Sequence, residues 1–307
     1  MTNVATVSVH ASGYLLHRHH PMTQYPRQPD VDLLGLEFDA DGRRARFELV
    51  PGVARHDGAL YGGTAIAVSV ATMEAATGRG SLWVTTQYVA TAQLSDIVEC
   101  TTDVVAMGRN VSQAQVTGRL GDKVLFTSVG STAIPREGGL EGQFVPMPEV
   151  SQPEDIKPMV FGPAQASGFR GFTAQVEYRL AEVHGPKGSV SQLALWARIN
   201  GDRPATPASI AFVADMVPGA IARAVGMVGG GTSLDNSLRF GRIPDDEEWI
   251  LLELRAQMAV GSHAHGSVKV WSRAGLLLAV GGQSTNMRQL VPEAEWEKLG
   301  AAGGNAE

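Results

Sequence analysis

Apolar and polar residues alternate over residues 44–50 (RARFELV), which predicts a half-buried strand. A companion strand is expected over residues 33–38, joined to it by the turn Asp39-Ala40-Asp41-Gly42. The texture then changes. Residues 64–77, TAIAVSVATMEAAT, are small and apolar on nearly every side. A helix that is apolar all round is a buried helix, and Gly78 is a natural stop for it. Strand-like segments follow at residues 82–89, 97–106 and 110–120, and Gly121-Asp122 turns the chain into a further one at 123–133.

Residues 135–164 break the periodicity with prolines, glycines and acids, as a connecting segment does. The earlier order then returns. Strands are expected at 172–181 and 191–199, and an apolar helical region at 207–225 that contains Asp215 and is broken or started at Pro218. Strands follow at 234–240, 249–258, 262–271 and 276–285, with a short helix in the tail around AEWEKL. Residues 104–107 can be laid on 255–258 at an offset of 151, and the turn at 121–122 on 274–275 at an offset of 153. The chain therefore reads as a duplication, each copy a buried helix wrapped by a curved antiparallel sheet. The expected division is an N-terminal unit at 30–135, a linker at 136–164 and a C-terminal unit at 165–290. Residues 1–30 read as an ill-defined polar segment.

Composition supports a sizeable core: 44% of the 307 residues are apolar and only 18% are charged. The formal net charge is −6 and no basic stripe with interleaved aromatics occurs, so nucleic acid is not an expected partner. Cys100 is alone, which leaves no disulfide framework and no cysteine metal site. No apolar run approaches the roughly 18–20 residues of a membrane span. No cationic segment with an apolar core opens the sequence, so a cytoplasmic protein is the expectation.

Candidate chemistry gathers at MVGGGTSLDNSL, residues 227–238. Glycines admit close backbone approach, and small polar groups crowd behind them. No Gly-Lys-Ser/Thr follows, so this is not a phosphate-binding P-loop. His263 and His265 share one strand face, but without a third ligand nearby a surface role fits better than a metal site. The run at 17–20 reads as a solvated loop, and Glu74 is a reserve candidate base on the first helix.

Four motifs carry a resemblance: DGALYGGTAIA (57–67), IAFVADMVP around Asp215, SLDNS (233–237) with Phe240, and LLLAVGGQSTNMR (276–288). Their order and spacing resemble the double-hotdog acyl-CoA thioesterases of the thioesterase II type, over about residues 30 to 290. The resemblance implies an α+β fold of two fused hotdog units and hydrolysis of acyl-CoA to free acid and CoA, without a cofactor. It implies a water held by Asp215, Ser233 and Gln283, with Gly62, Gly63 and Asn236 at the substrate. The family often has His where this chain has Asn236. Such a site needs a proton acceptor, a hydroxyl and an amide, and the N-terminus of the helix at Gly62-Gly63 offers N–H groups for an oxyanion or phosphate. Thr232 competes with Ser233 for the hydroxyl role. The repeat places Asp215 on residues 62–64, Ser233 on 80–82 and Gln283 on 130–132, where neither an acid nor an amide occurs. One competent site per chain is therefore expected. The rival readings are a non-catalytic acyl-CoA or lipid-binding protein and an enoyl-CoA hydratase using His56-Asp57. A dimer or tetramer is the expected assembly.

Overall fold

A computed structural model describes residues 24–136, 138–159, 170–181, 192–201 and 203–292. Among them, twelve strands form one antiparallel sheet in the order β1-β2-β4-β5-β6-β3-β9-β12-β11-β10-β8-β7. The first six are β1 (Glu37–Phe38), β2 (Arg44–Glu48), β3 (Gly80–Tyr88), β4 (Ile97–Met107), β5 (Val111–Leu120) and β6 (Lys123–Ala133). The others are β7 (Val176–Ala181), β8 (Gln192–Ile199), β9 (Met227–Phe240), β10 (Ile250–Val260), β11 (His263–Ser272) and β12 (Leu277–Pro292). Outward from the centre, the two halves have the same strand sequence. They join where β3 pairs with β9, with Val84 opposite Leu238 and both side chains buried. A bulge skips Val105 in β4 and recurs at Gln257 in β10, within the offsets of the sequence repeat.

Helix α2 (Gly62–Thr77) lies across β3 to β6 of the first half. Its burial is close to complete, which is why its sequence carries almost no polar stripe. It ends at Gly78, whose φ of 63° and N–H bond to the Glu74 carbonyl (2.8 Å) make a left-handed cap. The second half has two short helices in the equivalent place, α3 (Pro207–Val213) and α4 (Val217–Ala224). Pro218 has no N–H to give the Ala214 carbonyl one turn back, so a single helix cannot run through. Thr206 opens α3 with a capping box to Ser209. Helices α2 and α3 pack on each other inside the curved sheet, in one apolar core that runs through both halves.

Three expectations need correction. Residues 33–38 are not one strand: Gln28–Leu34 form a helix, α1, closed by Gly35 at φ 64°, and only Glu37–Phe38 pair as β1. Proline near the start and glycine just past the end were its signal, masked by the apolar Leu33, Leu34 and Leu36. The strand expected from 172 begins at Val176, after a short 3-10 turn at Gly171–Ala174. The connecting segment is also packed. Ser151 accepts the Trp196 indole N–H (2.8 Å), Gln143 bonds both Gly275 and Leu277, and Met147, Val150 and Ile156 cover Trp196, Trp249 and Trp271. Its prolines suit an extended strap as well as a free tether. The expected tail helix and the 17–20 histidine run lie outside the described residues.

Helix α1 ties the halves through a buried acid. Asp30 is 1% exposed; its Oδ1 accepts the Thr206 hydroxyl, and its Oδ2 has no partner among the described residues. Burial above all, and the Glu74 carboxyl less strongly, push its pKa from 3.8 to about 7, against the pull of Thr206 and Arg27. The unfolded chain releases this proton near 3.8 and the folded chain near 7, so this contribution to stability is full in acid and is lost as pH rises through that window. In urea unfolding across that range, Asp30→Asn should flatten the decline; a slope equal to wild type would show that Asp30 is not its source.

Candidate active site

Asp215 occupies the break between α3 and α4, and the break turns its carboxylate inward. It is 7% exposed. Gln283 of β12 donates from Nε2 to Asp215 Oδ1 and, at 2.8 Å, to Ser233 Oγ of β9. Asn236 of β9 donates from Nδ2 to the same Asp215 oxygen at 3.1 Å. The structure thus brings together four of the six expected site residues by side chain: Asp215, Ser233, Gln283 and Asn236. Ser233 and Asn236 are three residues apart and would face opposite sides of a regular strand. The pairing of β9 with β12 skips Leu234, so Ser233 opposes Thr285 while Asn236 opposes Gln283, and both face inward. Leu234 is left exposed.

The two expected glycines meet the site through their backbone. A Cβ on Gly62 would lie 2.6 Å from Asp215 Oδ2. On Gly63 it would strike the Phe212 carbonyl and the Tyr61 ring. The Gly63 N–H is turned toward the Asp215 carboxylate and favours its ionised form. Helix α2 has no side-chain cap of its own at Tyr61, so Asp215 caps it from the other half of the sheet. The N–H expected to serve an oxyanion or phosphate is therefore already engaged.

Burial raises the Asp215 pKa from 3.8 to about 7, against the lowering influence of Asn236, Gly63 N–H, Gln283 and the Arg55 charge. A carboxyl of this kind changes protonation near neutrality, which suits proton transfer. Ser233 Oγ accepts from Gln283, which leaves its own O–H to donate elsewhere. Gln283 Oε1 is buried and has no hydrogen-bond partner among the described residues.

Two tyrosines at the site were not expected from the sequence. Tyr61 donates to the Asp215 backbone carbonyl (3.3 Å) while its ring stacks on Phe172 at 3.9 Å. Tyr88 donates to the Gly62 carbonyl (3.0 Å). The alternation that points Val84 and Thr86 inward on β3 does the same for Tyr88, and it was the available signal. The other candidates stand elsewhere. Glu74 is at the far end of α2, paired with Arg27 at 3.2 Å and with the Ser81 N–H at 2.8 Å. Asp57 is bound to Arg55 rather than to His56. His265 faces Ser284 at 3.2 Å on the outer side of the sheet, and no three His, Cys, Asp or Glu side chains converge as a metal site among the described residues.

Residues 153–287 match the family model described as acyl-CoA thioesterase C-terminal domain. Over this stretch the chain is similar to that domain. No curated protein matches the chain. Among solved structures, one from Novosphingobium aromaticivorans, named as a candidate thioesterase, is 28% identical with a TM-score of 0.73, over 83% of this chain and 98% of that one. A conserved protein with a hot dog fold from Alicyclobacillus acidocaldarius is 20% identical with a TM-score of 0.71, over 86% and 99%. The acyl-CoA thioesterase II TesB2 of Mycobacterium marinum is 18% identical with a TM-score of 0.67, over 84% and 98%. These likenesses give the fold as of the hot dog kind. Among the described residues no helix is long and apolar enough to cross a membrane.

The setting of Asp215 depends on the closeness of α2 to α3. Gly63→Ala should lower unfolding stability by about 1–3 kcal/mol, because the added methyl overpacks a rigid backbone contact. A variant within about 0.5 kcal/mol of wild type in urea unfolding would show that the contact is slack.

Proposed function

We propose that the chain hydrolyses acyl-CoA thioesters at one site, built from two fused hotdog units spanning residues 30–135 and 165–290 and joined by the segment 136–164. The family match at 153–287 supports acyl-CoA thioesterase activity in general. One observation carries the finer reading. Gln283 bridges a buried carboxylate and a hydroxyl through its N–H groups, while its own carbonyl oxygen is buried without a partner among the described residues. That is an acceptor pair, Gln283 Oε1 and Asp215, for the two hydrogens of a water.

In this reading the water attacks the thioester carbonyl carbon and Asp215 takes its proton as the new C–O bond forms. Ser233, whose oxygen is held by Gln283, donates to the substrate carbonyl or to the water. The tetrahedral intermediate then collapses with loss of the C–S bond, and the proton held by Asp215 passes to the CoA sulfur. The products are the free acid and CoA, with no cofactor involved. Among the described residues no histidine is a hydrogen-bond partner of Ser233, which favours activated water over a seryl-enzyme.

The second reading, an acyl-CoA binder without turnover, rests on the setting of Gly63 N–H toward Asp215, since a carboxylate that caps a helix has a structural use already. Release of free CoA from an acyl-CoA panel separates the two. Asp215→Asn should lower kcat by about 10²–10⁴-fold, the usual worth of a general base. Because the ionised form must accept the proton, wild-type kcat should climb with pH through about 7 and then level off. Turnover by Asp215→Asn at the wild-type rate, or a flat profile across that window, would remove Asp215 from the base role. Binding with no CoA release would establish the second reading.

A further inference from the structure

The Asp215 carboxylate is held by a peptide group that belongs to the other half of the sheet. The Gly62 carbonyl and the Gly63 N–H are the two ends of one planar peptide unit. The N–H end is turned toward Asp215, whose ionised form it favours, and a Cβ on Gly62 would lie 2.6 Å from Asp215 Oδ2. The carbonyl end accepts the Tyr88 hydroxyl at 3.0 Å. Two glycines flank this unit's bond, and neither restricts its own φ as a side chain would. Neither glycine is replaceable without collision, because Gly62 faces Asp215 Oδ2 and the Tyr88 ring and Gly63 faces the Phe212 carbonyl. The tightest packing in the site thus demands the residue type least able to hold the peptide's orientation alone.

We infer that Tyr88 is a positioning residue of the site, which pins the Gly62–Gly63 peptide so that its N–H stays aimed at Asp215. The hydroxyl does this from a β-strand of the first half, one sheet position beyond the join with the second half. A hydrogen bond at the carbonyl end also polarises the peptide and strengthens the donor at its other end. Asn236, which donates to Asp215 Oδ1, also acts on the Tyr88 hydroxyl, so the tyrosine lies against both of the elements that hold the carboxylate. The first half of the chain thereby sets the proton affinity of an acid carried by the second.

The inference rests on the proposed base role of Asp215 for its kinetic consequence only. The groups that act on Asp215 besides Gly63 are Asn236 and Gln283, by hydrogen bonds, and the Arg55 charge; Tyr61, Tyr88 and Tyr178 face it as neutral phenols, and Asp235 stands near Tyr88. With the Tyr88 hydroxyl removed, the Gly63 N–H is free to swing off the carboxylate. Loss of a donor disfavours the ionised form, so the Asp215 pKa should rise.

The test is the carboxyl titration of Asp215 in protein labelled with 13C-aspartate, assigned by its disappearance in Asp215→Asn. Tyr88→Phe should move this titration to higher pH and shift the acid limb of the kcat profile the same way, with kcat near neutrality down about tenfold and KM within twofold. Thr77→Val is the control: it removes a buried hydroxyl that donates to a backbone carbonyl (Met73, 2.7 Å) at the far end of α2, and it should leave both readings in place. An Asp215 titration in Tyr88→Phe that coincides with wild type overturns the inference, as does an equal shift in Thr77→Val. If Tyr88→Phe does not fold, Gly62→Ala supplies the second variant, since its methyl displaces the same peptide; an unmoved Asp215 titration there is equally fatal. The titration is read with or without turnover, so a chain that releases no CoA would defeat the function proposed above while the titration still decides the role of Tyr88.

Discussion

A carboxylate removed from water must be surrounded by donors or give up its charge, and much of this structure follows from how Asp215 meets that demand. Its donors come from three separate places: the amides of Gln283 and Asn236 on adjacent strands, and the N–H of Gly63 at the head of the helix in the opposite half. Each donor fixes something larger. The strand amides fix the register of β9 on β12. The helix N–H fixes how closely α2 approaches the junction of α3 and α4, which is why two glycines stand there. The balance between burial and these donors leaves the acid near neutrality, neither firmly ionised nor firmly protonated.

The same arrangement underlies the one site per chain proposed above. The halves repeat in strand order and even in the position of a bulge, but they differ at their central helices. The first helix is continuous and offers only its N-terminal amides. The second is interrupted at Pro218 and offers the carboxylate. One half supplies the donor end and the other the carboxylate, so the two halves complement each other across the join. The core that spans both halves makes this geometry a property of the whole chain.

The strap at 138–159 adds a second asymmetry. It roofs Trp196, Trp249 and Trp271 on the outer face of the second half, while the outer face of the first half carries polar side chains such as Gln113, Gln115 and Thr117. A connecting segment rich in proline has little entropy to lose when laid down in an extended form, so the same composition that reads as a tether also suits a cover.

Much of this was legible in the residues themselves. The buried helix, its glycine stop, most strands of both halves and the repeat all follow from side-chain period and turn chemistry, which are local and survive without knowledge of partners. The residues Asp215, Ser233 and Gln283 could be named through the resemblance of their motifs. Their meeting could not be read. Ser233 and Asn236 look out of phase by the rule of alternation, and only the bulge at Leu234, a property of pairing with β12, turns them to one face. Helix α1 was hidden because Leu33, Leu34 and the Leu36 that follows it fit a strand and a helix equally well. Tyr61 and Tyr88 were passed over because a tyrosine on a helix cap or a strand end is ordinary until something lies opposite it. Local sequence determines which way each side chain points along its own element. Which distant groups it then faces depends on how the two halves close on each other, and that long-range packing, absent from any short window of sequence, decided the site.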